Sequence, residues 1–346
     1  MEHVLAAASD RRTPVSNEAV SNGKPLSGHQ LVDAIRRAVA EVVIGQDQVV
    51  ERILITLFTG GHLLLQGVPG LAKTLLVNAV ARAINLEFGR VQFTVDLLPS
   101  DILGAEVLDP KTSTFHIRRG PVFTNLLLAD EINRAAPKVQ SALLEAMQER
   151  RVTIGSDTFP LPLPFLVIAT QNPVEQQGTF ELPEAQLDRF MLCHRLEYPP
   201  HDDEVRILEQ SLSLGLSRDD RGAVPQSAFD KIADEPVASL EALVQAMEQV
   251  QKIYVSPVFT EHCVELVRKT RKHKYVELGA SPRAGIALVT ASRARALIHG
   301  RDHVVPEDLF ALAEDVLLHR MRLTYEALAE GVTGRDVLRE IVAAIG

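Results

Sequence analysis

Short apolar runs alternate with segments of helical periodicity from about residue 27 to residue 198. The apolar runs are of strand length, and the segments between them carry apolar residues at the spacing of one helix face. A first helix is predicted to start near Ser27. Predicted strands lie at 62–66, 90–94, 125–130, 164–170 and 191–197, and predicted helices between them at 73–84 and 137–149. Alternation of this kind is typical of a parallel sheet covered by helices, so the pattern predicts an α/β domain over 27–199.

The pattern changes after Pro199-Pro200. Helical spacing dominates the rest of the chain, with few runs rich in β-formers, which predicts a smaller all-α domain over 200–346. Its helices are expected at 202–213, 239–251, 259–272, 283–299, 306–319 and 334–345. Residues 1–26 contain turn formers without sustained periodicity, so a flexible N-terminal tail is expected there.

Two segments depart from simple strand–helix alternation. Residues 105–118 and 150–160 each look like a β-hairpin, the first around Asp109-Pro-Lys-Thr and the second around Gly155-Ser. Hairpins inserted between core elements are candidates for contacting a substrate, but decorative loops are an equal alternative on sequence alone.

Composition narrows the class of protein. The 346 residues are 46% apolar, enough for a substantial core, yet no run approaches the length of a membrane span and the first residues lack a signal-peptide pattern, so a cytoplasmic location is expected. Cys193 and Cys263 are too few for a disulfide framework and lack metal-site spacing. The formal charge of −9 argues against broad affinity for nucleic acid; the basic run 268–274 is a solvated helix end or a local phosphate contact.

A glycine-containing loop follows the predicted strand 62–66 and precedes the helix 73–84. Such a loop brings backbone N–H groups near phosphates, while Lys73 reaches the β and γ oxygens and Thr74 offers a hydroxyl to Mg²⁺. Ala72 replaces the glycine of the strict pattern. The predicted phosphate-binding residues are Gly67, Val68, Pro69, Gly70, Leu71, Ala72, Lys73 and Thr74.

A second motif supports the same chemistry. Four apolar residues end in Asp130-Glu131, which predicts a strand that delivers Asp130 to the metal and Glu131 to a water molecule that attacks the γ-phosphate. The alternative is that Asp130-Glu131 begins a surface helix and that the glycines form an ordinary turn. Together the two motifs predict binding and hydrolysis of a nucleoside triphosphate, with ATP and Mg²⁺ as the expected ligands.

Four segments resemble the MoxR family of AAA+ ATPases. They are the phosphate loop 67–74, Leu-Leu-Ala-Asp-Glu-Ile-Asn-Arg134, Ala-Thr-Gln-Asn172-Pro and Leu-Pro-Glu-Ala-Gln-Leu-Asp-Arg189-Phe. The resemblance runs from Ile44-Gly45-Gln46 to Ser281-Pro-Arg283-Ala, and Ala72 in the phosphate loop is the family's habit. It implies an AAA+ P-loop fold, with a parallel five-stranded sheet flanked by helices and a helical lid.

The resemblance also implies roles for single residues. Asn172 would be a sensor that helps to hold the attacking water, although a turn asparagine before Pro173 is the simpler interpretation without the family. Arg189 would be an arginine finger that reaches the γ-phosphate in a neighbouring subunit; a salt bridge to Glu184 or Asp188 is the local alternative.

Arg283 has an independent argument. With Ser281 as N-cap and Pro282 in the first turn, it places a cation at the positive end of a helix dipole, where a nearby anion such as ATP phosphate would explain it. By resemblance it is the second sensor, contributed by the lid. The backbone near Ile44, Gly45 and Gln46 would cradle adenine, and the two hairpins would face a central pore or the substrate.

The resemblance further implies a homo-oligomeric ring, expected to be a hexamer, because an arginine finger in trans makes each active site depend on its neighbour. The leading hypothesis is a chaperone-like remodeller that matures enzyme complexes, including metal or cofactor insertion, with a von Willebrand factor A domain protein as adaptor. The first alternative is a motor dependent on DNA or RNA. The hairpin tips Asp109-Pro-Lys111-Thr and Gly155-Ser-Asp157 hold one lysine and two acids and are poorly suited to tracking phosphates, although Arg118-Arg119 and Arg150-Arg151 lie at the hairpin bases. The second is a nucleotide-gated scaffold without turnover, which has no need of a water-activating Glu131.

Overall fold

A computed structural model of the protein describes residues 27–173, 178–219, 222–232 and 235–345. The predicted tail 1–26 lies outside the described residues. The centre of the structure is a five-stranded sheet with the strand order β2-β5-β8-β1-β9. Its strands are β1 (Leu63–Gln66), β2 (Phe88–Gln92), β5 (Leu126–Asp130), β8 (Leu166–Gln171) and β9 (Leu192–Arg195). Every pairing in it is parallel, as predicted, and the strands lie within two residues of their expected bounds.

Helices cover the sheet, and their ends follow local sequence signals. The first helix begins beside Ser27, whose hydroxyl caps it and whose backbone N–H is bonded by Gln30, forming a reciprocal capping box. The helices of this part are α1 (Gly28–Ala40), α2 (Asp47–Thr59), α3 (Lys73–Ala83), α4 (Pro99–Leu103), α5 (Pro137–Glu149) and α6 (Glu184–Leu187). The helix α2 was not predicted as a separate element.

Both inserted hairpins are present. The first consists of β3 (Gly104–Asp109) and β4 (Thr114–Arg119), and the second of β6 (Arg151–Ile154) and β7 (Asp157–Pro160). They touch each other. Gly155 turns at φ +61°, a conformation that favours glycine, and a Cβ there would lie 2.1 Å from a carboxylate oxygen of Glu106, which would have to move aside. The Arg119 guanidinium stacks over the rings of Phe123 and Phe159, 5.1 and 5.4 Å from their centroids.

The remainder of the described chain is mainly helical. Its helices, all within two residues of the predicted bounds where predicted, are α7 (His201–Leu212), α8 (Leu240–Lys252), α9 (Pro257–Thr270), α10 (Pro282–Ile298), α11 (Pro306–Leu317), α12 (Tyr325–Ala329) and α13 (Gly334–Ala343). Two small antiparallel sheets were not predicted: β10 (Leu216–Asp219) with β11 (Gly222–Pro225), and β12 (Val276–Leu278) with β13 (Arg322–Leu323). In the part of the chain that the structure describes, no helix is both long and apolar enough to cross a membrane.

A buried ionic group fastens α11 to the sheet domain. The Asp315 carboxylate, 6% exposed, accepts a hydrogen bond from Arg52 Nε of α2 at 2.5 Å and lies 2.9 Å from His194 Nδ1 of β9. Burial tends to raise the pKa of Asp315, but His194 and Arg52 outweigh it and hold the pKa below its usual value.

The apolar core beneath this face is continuous from α1 and α2 to α10 and α11. The lid helices therefore rest directly on the sheet domain. Whether the chain divides at Pro199-Pro200 stays a prediction.

Candidate nucleotide-binding and hydrolysis site

The candidate residues gather at one edge of the sheet. Because the five strands are parallel, their carboxyl ends, Gln66, Gln92, Asp130, Gln171 and Arg195, meet at the same edge. Ligands of open α/β sheets bind at this edge. The register aligns Gln92 with Asp130, and Gln66 with both Gln171 and Arg195. The motifs that follow β1, β5 and β8 are therefore neighbours in space.

The loop after β1 ends at the start of α3. Gly70 adopts φ +90° and Ala72 φ +52°, so Ala72 is held in the left-handed region that costs an L-residue about 1–2 kcal/mol. No side chain of the described residues caps the first turn of α3, and its N–H groups with the positive end of the helix dipole form a ready anion site. Strain concentrated at such a turn is typical of ligand-binding loops.

Lys73 lies inside this loop. Its Nζ donates to the carbonyl oxygen of Gly67 at 3.0 Å, which folds the side chain back over the loop. Burial lowers the pKa of Lys73, and the carboxylates of Asp130 and Glu131 oppose that shift. The ammonium group is thus partly stripped of water beside two acids. Thr74 follows it in the first turn of α3 and is half-buried.

Asp130 is held on both of its oxygens. Thr170 donates its hydroxyl to Oδ1 at 2.6 Å, and Arg90 Nη2 of β2 lies 2.7 Å from Oδ2. The residue is 9% exposed. A nearly buried carboxylate of fixed orientation is a suitable ligand for a hard cation, and the Arg90 guanidinium supplies the positive charge next to it in this structure.

Glu131 follows β5 in a left-handed conformation, φ +57°. Its backbone N–H donates to the Thr170 hydroxyl at 2.8 Å, so Thr170 joins the two acids. The carboxylate Oε2 accepts a hydrogen bond from Gln92 Nε2 at 3.0 Å and lies 3.1 Å from Arg134 Nε. Asp130 ends the buried strand β5, and Glu131 precedes the short 3₁₀ turn Ile132–Arg134, in which Ile132 and Asn133 are buried, so the pair does not begin a surface helix.

Sequence reasoning missed three residues of this arrangement: Arg90, Gln92 and Thr170. Arg90 and Gln92 reach the acids only because β2 pairs with β5 in the observed register. Thr170 lies within the motif that contains Asn172, and its position at the end of a buried strand beside β5 is the one available signal.

A cavity of about 550 Å³ opens beside the phosphate loop. Ile44 and Gln46, two of the three residues expected near adenine, line one wall, and Tyr198 lines another. The helix α7 closes it with Ile207 and Leu208. Gly45 instead faces a neighbouring polar cavity, where an added Cβ would lie 2.5 Å from a carboxylate oxygen of Asp203. Further lining residues are Val42, Val43, Pro69, Gly70, Leu71, Ala72, Leu75, Pro199, Glu204, Gln210, Ser211, Leu214 and Ala228. Lys73, Thr74 and Asp130 lie outside the cavity lining.

Asn172 is buried, 6% exposed, directly after β8. Arg189 is half-buried between α6 and β9, and its guanidinium makes no hydrogen bond or ion pair with any other residue within the described ranges. The local partners suggested by sequence are bound elsewhere, since Glu184 pairs with Arg322 and Asp188 with Arg320.

Arg283 stands in the first turn of α10, as expected. Ser281 caps that helix by accepting from the Arg283 N–H, and Pro282 opens it. The anion nearest to the guanidinium is the Asp188 carboxylate at 3.8 Å. Arg189 and Arg283 both lie outside the lining of the cavity beside the phosphate loop.

The cysteines take no part in this site. Burial raises the pKa of the Cys193 and Cys263 thiols to about 12, so both remain protonated. Within residues 27–173, 178–219, 222–232 and 235–345, no three His, Cys, Asp or Glu side chains cluster as a metal site would require.

Comparison with known proteins matches this geometry. A family model described as "ATPase family associated with various cellular activities (AAA)" matches residues 62–192, and an AAA lid domain model matches residues 268–341. The chaperone MoxR1 of Mycobacterium tuberculosis is 42% identical over 326 residues, which cover 91% of this chain and 82% of MoxR1. The chain belongs to the MoxR family of AAA+ ATPases.

Two further proteins are similar to this MoxR-family chain over most of its length. The YeaC protein of Bacillus subtilis is 42% identical over 317 residues, covering 92% of this chain and 95% of its own. A crystal structure of a protein from Cytophaga hutchinsonii, described as an ATPase, is 41% identical, with a TM-score of 0.82 over 91% of this chain and 94% of that one. The predicted α/β AAA+ fold with a lid is confirmed.

Proposed function

We propose that this MoxR-family ATPase hydrolyses ATP to ADP and phosphate in a Mg²⁺-dependent reaction. The observation that carries the proposal is the joined pair Asp130 and Glu131, which Thr170 bridges with hydrogen bonds of 2.6 and 2.8 Å at the end of β5. Lys73 and the uncapped start of α3 lie beside this pair. These are the components that positioning and electrostatic stabilisation of phosphoryl transfer require.

Two groups of residues suit the two parts of ATP, its base and its phosphates. The cavity of about 550 Å³, walled by Ile44, Gln46 and Tyr198, suits a planar apolar base. The loop 67–74 would hold the phosphates through its backbone N–H groups, and Lys73 would exchange the Gly67 carbonyl for the β and γ oxygens.

Thr74 and Asp130 would hold Mg²⁺ with the nucleotide, because a hydroxyl and a carboxylate are hard oxygen donors. When bound, the metal neutralises charge on the β and γ oxygens. In the observed arrangement Arg90 neutralises Oδ2 of Asp130, so this guanidinium would have to give up that oxygen if Asp130 held Mg²⁺ through it.

Glu131 would act as general base. Its carboxylate accepts a proton from water as the water oxygen bonds to the γ-phosphorus, and the bond between that phosphorus and the β–γ bridging oxygen breaks with its electron pair on ADP. Asn172, buried after β8, would help to hold the water. Arg283 would contact phosphate from the lid.

Arg189 would complete the active site of a neighbouring subunit. Support comes from its guanidinium, which lacks a hydrogen-bond or ion-pair partner within the described part of the chain although acids flank it in sequence. A cation supplied in trans requires a ring or chain of subunits, and we propose a hexamer.

The ring would serve as a chaperone-like remodeller. The relative named chaperone MoxR1 supports this role. The family resemblance suggests maturation of enzyme complexes, including metal or cofactor insertion, with a von Willebrand factor A domain protein as adaptor. A nucleic-acid motor is less favoured, because three of the four arginines at the hairpin bases have internal partners among the described residues. Arg119 stacks on Phe123 and Phe159, Arg150 donates to the Gly60 carbonyl, and Arg151 pairs with Glu149. Glu131 argues against a scaffold without turnover.

The test is Mg²⁺-dependent ATP hydrolysis per subunit across a protein dilution series, with sedimentation of the same samples. We expect specific activity to rise as the hexamer appears and to vanish without Mg²⁺. Arg189→Ala protein should show no such rise. A monomer with constant turnover would refute trans action, and absence of turnover at every concentration would refute the ATPase proposal.

A further inference from the structure

The loop that carries Arg189 is clamped by the lid. Arg320, in the 3₁₀ turn Leu318–Arg320 after α11, donates from Nε to Asp188 Oδ1 at 2.7 Å and from Nη2 to the Phe190 carbonyl at 2.7 Å. Its Nη1 lies 3.3 Å from the carbonyl oxygen of Met191. These contacts bracket Arg189 on both sides, and Arg320 is only 7% exposed.

His319 strengthens the same clamp. Its Nε2 lies 3.2 Å from the Phe190 carbonyl, which can only accept, so Nε2 carries the proton. Burial lowers the pKa of His319 well below its usual value, and the ring is neutral. Two consecutive lid residues thus hold the backbone immediately after Arg189.

Asp188 links this clamp to the start of α10. The Ser281 hydroxyl donates to its Oδ2 at 3.2 Å, and Arg283 Nη1 lies 3.8 Å from the same oxygen. Ser281 also caps α10. One carboxylate therefore connects Arg189's loop, the 3₁₀ turn and the helix that presents Arg283.

Arg189 itself contrasts with these contacts. Its guanidinium has no hydrogen bond or ion pair to another described residue, although the backbone on each side is fixed. A long side chain on a fixed backbone can still extend to a ligand. Because its backbone is already held in place, it loses less conformational entropy when it binds.

We propose that Asp188 is a positioning residue for Arg189: with Arg320 it ties the arginine-bearing loop to the lid and so presents Arg189 to the ATP of the neighbouring subunit. This rests on the proposed ATPase function. The lid that holds the loop also carries Arg283, so the presentation of Arg189 depends on how the lid sits on the subunit's own nucleotide site.

Asp188→Asn tests the proposal, because it keeps the shape and removes the charge. We expect kcat for ATP hydrolysis to fall about 10- to 100-fold, as for a displacement of a catalytic group by about 1 Å, while the KM for ATP and the sedimentation of the ring stay unchanged. Glu184→Gln is the matched control. It removes a nearby acid whose partner, Arg322, is also in the lid but whose side chain is 47% exposed, and its kcat should be unchanged.

Mixed rings separate positioning from a purely local defect. A Glu131→Gln subunit lacks the base but brings an intact Asp188 and Arg189, so mixing it with Asp188→Asn protein should restore turnover at the Asp188→Asn sites. Arg320→Lys keeps the charge but loses the bond to Phe190, and it should show a smaller kcat loss that mixing also repairs. It replaces Asp188→Asn if thermal unfolding shows that the latter does not fold.

Unchanged kcat in both variants would overturn the proposal. So would a loss that mixing fails to repair under conditions where it repairs Arg189→Ala, because Asp188 would then act only within its own subunit. Full activity of Arg189→Ala is a different result, and it would overturn the trans role of Arg189 in the proposed function.

Discussion

The side-chain amide of Gln92 donates a hydrogen bond to Oε2 of Glu131 at 3.0 Å. Arg134 Nε approaches the same oxygen at 3.1 Å. The carboxylate of Glu131, the proposed base, is therefore fixed by one donor from β2 and one from the 3₁₀ turn Ile132–Arg134. Its other oxygen, Oε1, has no such anchor among the described residues.

Glu131→Gln should bind ATP and fail to hydrolyse it. Glutamine can accept the same hydrogen bonds but cannot take the proton from water, and loss of a general base costs about 10²–10⁴-fold in rate. Calorimetry should give an ATP affinity close to wild type, with steady-state turnover reduced by at least that factor. Normal turnover would remove Glu131 from the mechanism.

Lys73→Ala should weaken ATP binding about 10- to 100-fold, the loss expected for a charge-assisted hydrogen bond of about 1.5–3 kcal/mol. The measurement is titration calorimetry with ATP. Lys138→Ala is the control, because Lys138 is exposed in the first turn of another helix, α5. Equal affinities for the two variants would contradict the phosphate-loop assignment.

Arg189→Ala should bind ATP and yet turn over about 10³–10⁵-fold more slowly, the usual contribution of an arginine finger. Mixing it with Glu131→Gln protein should restore part of the activity, because the latter supplies Arg189 to intact Glu131 sites. Phosphate release from a titration of one variant into the other measures the recovery. Inactivity at every ratio, in samples that sediment as rings, argues against action in trans.

Asp315→Asn should destabilise the fold by about 1.5–3 kcal/mol at neutral pH, because the buried Arg52 and His194 lose a charged hydrogen-bond partner, while Arg52 keeps its ion pair with Glu51. The folded pKa of Asp315 is depressed, so its contribution is complete above the unfolded value of about 3.9 and is lost as pH falls below it. Urea unfolding at neutral and acid pH should show the difference from wild type shrinking on acidification.

Asp202→Asn is the control for that experiment, since the Asp202 side chain is 98% exposed and its ion-pair partner among the described residues is the exposed His201. Its urea midpoint should match wild type at each pH. If Asp315→Asn behaves in the same way, the buried ionic group does not fasten α11 to the sheet domain.

Much of the fold was predictable because its strands are short, apolar and bounded by turns. The helix α2 was missed because the almost continuous apolar run from Ile53 to Phe58 obscures the helical period in the sequence, and its polar residues Glu51 and Arg52 are themselves buried. The β10–β11 hairpin was missed because its surroundings carry helical spacing.

The candidate site also contains residues that could be predicted from sequence and contacts that could not. Lys73, Thr74, Asp130 and Glu131 lie in contiguous motifs and could be read from sequence. The side-chain partners of the residues next to Arg189 could not be predicted from sequence. Asp188 pairs with Arg320, 132 positions away, and such a pairing is set by the packing of the lid and leaves no local pattern.

The edge strand β9 has a mechanical consequence. It begins shortly after Arg189 and ends shortly before Tyr198, so a stiff segment about 13 Å long connects the Arg189 loop to the wall of the cavity beside the phosphate loop. Among the described strands, β9 is bordered in the sheet by β1 alone. In the proposed ring, a small shift of β9 along β1 would move both of its ends together, so a displacement at one nucleotide site would be transmitted to the next.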